Sequence, residues 1–172
     1  MQRILHRLTK AILTLPGWQE CLWAIALLLL YGLVYLPIGF MTNFLDWEVQ
    51  FSFWKVVSVL ASAFLMPGLN EELMFRVLLI PHPTESVNPF VRWFWICFSW
   101  IAFLLYHPFN IMFGAPTFFS SPVFLLGAGL LGLICTIAYL GSGSLWIPVV
   151  IHWLIVVVWL LLLGGLEQFQ TH

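Results

Sequence analysis

Charge is what this sequence has least of. Six Lys or Arg and seven Asp or Glu among 172 residues make up 8% of the chain, with a formal net charge of -1. No basic cluster occurs beyond the N-terminus, so the electrostatic footprint that nucleic acid requires is missing, and nucleic acid is not expected as a partner. Cysteine is scarce too. Cys21, Cys97 and Cys135 are odd in number, lie in apolar runs and show no CxxC spacing, which excludes a disulfide framework and reads as three buried thiols. HExxH is absent, so no single helix supplies a zinc site. Neither a repeat nor a polar linker divides the chain, and residues 1–172 read as a single integral-membrane domain.

Apolar residues are what the chain has instead. They form 62% of it, with a mean hydropathy of +1.02, more than a soluble core of this size can bury, so the surplus must face lipid. In lipid the backbone must satisfy its own hydrogen bonds, and long unbroken apolar runs suit helices, not the alternating strands of a barrel. The fold class is therefore all-α: a polytopic transmembrane helix bundle of about five spans plus an N-terminal amphipathic helix. Arg3, Arg7 and Lys10 recur opposite Ile4, Leu8, Ile12 and Leu15, which makes residues 1–18 an interfacial helix, and the positive-inside rule places it in the cytosol. Cys21 to Phe40 lacks a cleavage site and reads as an anchor.

Phe51 to Ile80 would be roughly 45 Å long as a continuous helix and should tilt or break at Pro67-Gly68. The proline-rich stretch Pro81 to Arg92 reads as a cytosolic loop. Trp93 to Tyr106 and Pro122 to Leu140 follow as spans. Gly141-Ser142-Gly143-Ser144 then turns the chain into Leu145 to Leu163, with Ser144 as cap and Pro148 in the first turn. The C-terminus is expected outside.

Ionisable groups within spans are costly and mark cavities or partners. In Asn70-Glu71-Glu72-Leu73-Met74-Phe75-Arg76, the Glu72 and Arg76 side chains stand at i and i+4 in the favourable order, leaving Glu71 unclaimed about 100° around the helix. His107 closes one span, and His152 lies inside another, where an imidazole needs a partner or a watery cavity. Counted from the cytosolic face, Glu71 is roughly 14 Å deep, His107 roughly 21 Å and His152 roughly 10 Å. With tilt and one kink all three meet at one level. A glutamate and two histidines also make a zinc ligand set with an open position, so Glu71, His107 and His152 are the metal ligands if one is bound. Gly127-Ala128-Gly129-Leu130-Leu131-Gly132 spells GxGxxG in the middle of an apolar span, where small residues let helices approach closely and no nucleotide loop can form.

Three motifs in order, Glu71-Glu72-xxx-Arg76, then Phe103-xxx-His107, then His152 after Gly-Ser-Leu-Trp-Ile-Pro, resemble the CAAX protease and bacteriocin-processing (CPBP, or Abi) family of intramembrane proteases. The resemblance covers roughly Phe51 to Gly165, so that 51–165 would be the protease core. It implies a multi-pass, glutamic-type endopeptidase, formerly classed as a metalloprotease, acting on a membrane protein or lipidated peptide in the bilayer. Glu71 would be the base that activates water, His107 would help to hold that water, and His152 would donate to the oxyanion. Glu72 and Arg76 would orient the site, and cleavage would fall near the cytosolic side of the bilayer.

Two positions depart from the family pattern. Val156 stands where HxxxN would have its asparagine, and Val77 where a glycine often follows the arginine; Asn110 is a candidate substitute donor. The departures keep a second class open, a catalytically impaired relative acting as a binding or scaffold partner. A third, an ion carrier relaying protons through Glu71, His107 and His152, is disfavoured by the lack of a repeat.

Overall fold

A computed structural model describes residues 2–170, with side chains from Ile4 to Phe169; the Arg3 side chain, assigned to the amphipathic face, lies outside the described residues. Seven helices are present among those residues: α1 Gln2–Leu13, α2 Trp18–Met41, α3 Phe53–Leu78, α4 Pro89–Asn110, α5 Pro122–Ser142, α6 Trp146–Leu162 and α7 Gly165–Gln170. Four of them, with α4 taken on through its last turn to Phe113, are long and apolar enough to cross a membrane. The fifth expected span, α6, has 17 residues, about 25 Å, which crosses most of a hydrocarbon core. The chain is a polytopic helical membrane protein.

Sequence signals set the helix ends. Asn88 Oδ1 accepts from the Phe90 N–H at 2.8 Å with Pro89 in the first turn, and Ser121 Oγ accepts from the Phe124 N–H at 3.2 Å with Pro122 in the first turn. Each pairs a side-chain cap with a proline that sacrifices no bond. The first device starts α4 four residues before the expected Trp93, so Arg92 belongs to a helix and not to the loop. Gly143, at φ +66°, ends α5 in the left-handed conformation, and Ser144 Oγ caps α6 through the Trp146 N–H at 3.2 Å.

α5 is the central helix, packed by α2, α4 and α6. Between helices in lipid, close contact is the main source of attraction, which small residues permit. At Gly132 a Cβ would stand 2.9 Å from the Phe103 ring, and at Gly127 2.5 Å from the Tyr35 ring. The glycine run thus serves packing, as its spacing implies. The expectation of three buried thiols fails for two: Cys135 is buried, but Cys21 and Cys97 are exposed, on helix faces that apolar neighbours turn to lipid.

α3 determines the shape of the interior. Met66 leaves helical geometry at φ -137° and ψ 112°, next to Pro67, and π-type turns run through Phe64–Leu69 and Leu73–Leu78. Before the break α3 leans on α6; beyond Leu73 it packs on α1, α4 and α5. The break therefore leaves a space in one half of the bundle and closes the other.

The closed half carries α1. There Arg7 makes a two-pronged pair with Glu85 at 2.6 and 3.0 Å, His82 Nε2 lies 3.0 Å from the Gly143 carbonyl, and the Leu145 N–H donates to Ala11 at 2.9 Å. The amphipathic helix, the loop after α3 and the turn before α6 thus share one face, as the sequence implies.

Candidate active site

Two neighbouring carboxylates have opposite surroundings. Glu72 is fully buried: Oε2 stands 3.1 Å from Arg76 Nε and Oε1 2.6 Å from His152 Nδ1. Arg76 continues the chain of contacts, donating to the Gly132 carbonyl at 3.1 Å while its guanidinium lies 4.4 Å above the Phe103 ring. A buried arginine needs this combination of a counter-charge, an acceptor and an aromatic face. Gly132 serves twice, because the missing side chain admits Phe103 and its carbonyl receives Arg76.

Glu71 has no such company. Its Oε2 is buried without a hydrogen-bond partner among the described residues, and the nearest cation-forming atom is His152 Nε2 at 3.9 Å, beyond hydrogen-bond reach. His152 is therefore held between the two acids, with Nδ1 on Glu72 and Nε2 toward Glu71. Since a carboxylate only accepts, the Nδ1 proton points to Glu72. His107 Nδ1 lies 3.0 Å from the Phe103 carbonyl, which likewise fixes the proton on Nδ1 and leaves Nε2 as an acceptor in the neutral ring.

Glu71, His107 and His152, from α3, α4 and α6, line one cavity of about 590 Å³ together with Asn110 and Val156. The rest of its wall is mainly apolar and aromatic, including Tyr31, Tyr35, Phe124 and Trp159. All its lining comes from the half of the bundle opposite α1, none from residues 1–27 or 72–105. A packed layer of Tyr139, Leu145, Val149, Val77 and Ile80 with Ala11 fills the end that carries α1, and the α3 break opens the other.

For a metal, the compact donor set among the described residues is not the one expected. Glu72, Cys135 and His152 bring ligand atoms within 4.8 Å of one another. Those donors are already committed, Glu72 to Arg76 and His152, and Cys135 Sγ to the Pro148 carbonyl at 3.6 Å. A cation there would have to displace Arg76, so this set does not fit a resident metal.

Two parts of the site were not read from the sequence. Ser99, expected only as part of a span, donates through Oγ to the Phe75 carbonyl and ties α4 to the turn bearing Arg76. Cys135 lies beside Glu72 and His152 although 59 residues separate it from Arg76; only the small-residue run of α5 hints that this helix passes close by.

The family model described as Rce1-like, type II CAAX prenyl endopeptidase, matches residues 52–158, more than half of the chain. The chain belongs to this family. The matched segment begins just before α3 and ends inside α6, so it contains Glu71, Glu72, Arg76, His107 and His152, and the Rce1-like family is one of hydrolases that cut peptide bonds. No curated protein and no solved structure matches. Within the Rce1-like segment, Val156 lines the cavity one helical turn beyond His152 and offers no donor.

Proposed function

We propose that the protein is an intramembrane endopeptidase in which Glu71 removes a proton from a water that attacks a peptide bond. The observation that carries this reading is the gathering of Glu71, His107 and His152 from three helices around one cavity, with Glu71 Oε2 making no hydrogen bond among the described residues. A base must reach its proton within hydrogen-bond distance, and a carboxylate oxygen that makes no hydrogen bond to the protein is available to do so. His107, with Nε2 as acceptor, helps to hold the water. Glu72 fixes the ring of His152, and Arg76 fixes Glu72.

In this scheme His152 Nε2 donates to the oxyanion. Its Nδ1 proton is engaged by Glu72, so donation from Nε2 requires the doubly protonated ring, whose charge Glu72 faces at 2.6 Å. The reaction is proposed without a metal; elemental analysis of the purified protein and insensitivity of cleavage to chelators are the expected results. The basic residues Arg7, Lys10 and Arg92 gather at the face carrying α1, which the positive-inside rule assigns to the cytosol together with the N-terminus. Impermeant thiol reagents applied to intact cells should then label Glu167→Cys, at the opposite face.

The test of the chemistry is cleavage of membrane peptides by purified protein in vesicles. Glu71→Gln should remove it while leaving the fold intact, and unchanged cleavage would overturn the assignment. One observation favours a second reading, a binding or scaffold partner: Val156 supplies no oxyanion donor where the family pattern has one. If the parent cleaves nothing and Val156→Asn gains cleavage, the protein is an impaired relative. A gain of about 100-fold is the order expected for one oxyanion donor.

A further inference from the structure

The residues after α6 cover the end of the cavity that α1 does not close. Gly164 stands at φ +79° between α6 and α7, in the left-handed conformation that glycine adopts without strain. The next residue, Gly165, rests on the indole of Trp159, where a Cβ would come within 2.9 Å of the ring. Two glycines thus let the chain turn back over the bundle, and α7 brings the Phe169 ring into the cavity wall with Phe44 and Phe119. The Phe169 ring centroid lies 5.2 Å from that of Phe118, 6.1 Å from Phe119 and 5.8 Å from Trp159. The stretch 44–50 beside α7 is fixed to the end of α6, where the Glu48 N–H donates to Leu162 at 3.1 Å and the Gln50 N–H to Leu161 at 2.9 Å. α7 is tied to this stretch in turn, through Gln168 Nε2 on the Phe44 carbonyl at 2.6 Å and through the Glu167 side chain, which meets that of Glu48.

The chemistry read at Glu71 consumes a water, and the cavity has few sides from which one can come. The α1 end is filled by the layer around Tyr139. The outer faces of α2, α3 and α6 carry exposed apolar residues such as Leu33, Leu65 and Val150, which belong in hydrocarbon, where water is scarce. Asp46, Glu48, Gln50, Glu167 and Gln168 put water at the remaining end, and there Phe169 stands over the cavity. We propose that α7 is a lid, hinged at Gly164 and Gly165, which shuts the cavity against water when Phe169 is docked and admits the water used at Glu71 when it lifts. The contacts that hold it belong to one short helix, so it can lift without rearranging the bundle. The lid regulates the site in which Glu71 is read as the base and rests on that reading for its purpose, but its movement can be followed without any cleavage.

The experiment reads water at the cavity wall. In full-length protein with Cys21 and Cys97 replaced by alanine, Ala128→Cys places a thiol in that wall, and Gly141→Cys places one where a Cβ meets open space at the α1 face. A methanethiosulfonate with a permanent trimethylammonium charge attacks thiolates where water reaches them, and the same protein without either added thiol gives the contribution of Cys135. When the lid opens and closes faster than the reagent reacts, the rate follows the open fraction. Phe169→Ala combined with Gln168→Ala should raise labelling at position 128 by about 10-fold, the order expected from losing a hydrogen bond and an aromatic contact, and leave position 141 unchanged. An unchanged rate at position 128 overturns the proposal, and so does an equal rise at both positions, which reports loosening of the whole bundle.

A second variant reaches the lid through its hinge and spares its contacts. Gly165→Val cannot keep α7 on the Trp159 indole, so it should likewise speed labelling at position 128 and not at 141; a rate no higher than that of the parent overturns the hinge. Failure of the protease reading is seen separately, as absence of cleavage of membrane peptides by protein whose labelling still responds to α7. Labelling that does not respond, in protein that cleaves, refutes the lid alone.

Discussion

In the half of the bundle that carries α1, Arg7 has Glu85 and the Leu78 carbonyl, His82 has Thr84 and Gly143, and Arg92 reaches the carbonyls of Pro81 and Glu85, although the buried Tyr139 hydroxyl has no hydrogen bond among the described residues. In the other half the helices stand apart around a cavity, and the buried Glu71 oxygen at its inner end has no partner. Glu71 and Glu72 sit on the boundary. One turns to Arg76 and His152 and completes the packed half, and the other turns to the cavity. What separates a structural carboxylate from a reactive one is therefore the break in α3, which lets a single helix be tightly packed below Leu73 and loosely packed above it. A buried group left unsatisfied costs stability, and function is the ordinary reason for keeping one.

Exchanging one acid for its amide on each side of the boundary gives the sharpest test. Glu71→Gln should lower the rate of peptide cleavage by about 100-fold to 10,000-fold, the usual worth of a positioned base, with little change in thermal unfolding in micelles because Oε2 holds no partner. Glu72→Gln should do the opposite in kind. It leaves Arg76 buried without its ion-pair partner, which for a broken buried pair costs about 3–5 kcal/mol, and unfolding should reveal it before any cleavage assay does. Equal destabilisation by the two variants would dissolve the distinction between the halves.

Gly132 tests whether packing holds the site in place. Gly132→Val puts side-chain atoms where the Phe103 ring is 2.9 Å from even a Cβ, and overpacking of this kind costs about 1–3 kcal/mol. Because Phe103 also supports Arg76 and the Gly132 carbonyl receives it, cleavage should fall along with stability. A stable, fully active Gly132→Val would mean that the α4–α5 contact does not position the arginine.

Composition and motif spacing disclosed most of the fold and the identities in the site, for physical reasons. Lipid leaves few alternatives to helices, so apolar run length located the spans, and the charges within them had to be accounted for. Pro67 marked the break because its ring cannot continue a helix. The consequence of that break was not legible: a proline says that a helix bends, but which half then opens depends on what α4, α5 and α6 pack against. Counting residues along straight helices put the three groups roughly 10 to 21 Å below the face of α1, but could not tell that the packed layer of Tyr139, Leu145 and Val149 closes that end. The letters Glu, His and His cannot say that Glu72 and His152 already hold each other, or that Cys135 is their neighbour. Cys21 and Cys97 were misread because apolar context in a membrane chain is compatible with either a buried or a lipid-facing side chain.

The smallest expected effect concerns the closed half at its surface. Burial alone would raise the Glu85 carboxyl, but the Arg7 side chain and the His82 N–H that it accepts outweigh burial and hold it below its ordinary 4.5. A carboxyl whose folded value is depressed binds a proton more weakly folded than unfolded, so its contribution is complete above the unfolded value and disappears as pH falls through the folded one. Stability should therefore be flat from neutral pH down to about 5 in respect of this pair and decline below it, and Arg7→Ala should flatten that decline. Both side chains are partly exposed, which keeps the pair within about 1 kcal/mol. Unfolding midpoints of parent and Arg7→Ala in micelles between pH 3 and 7 provide the measurement. Curves that stay parallel across that range would mean that α1 is held by Ala11 and its apolar neighbours alone, and that the tight half of the bundle needs no ion pair to stay closed.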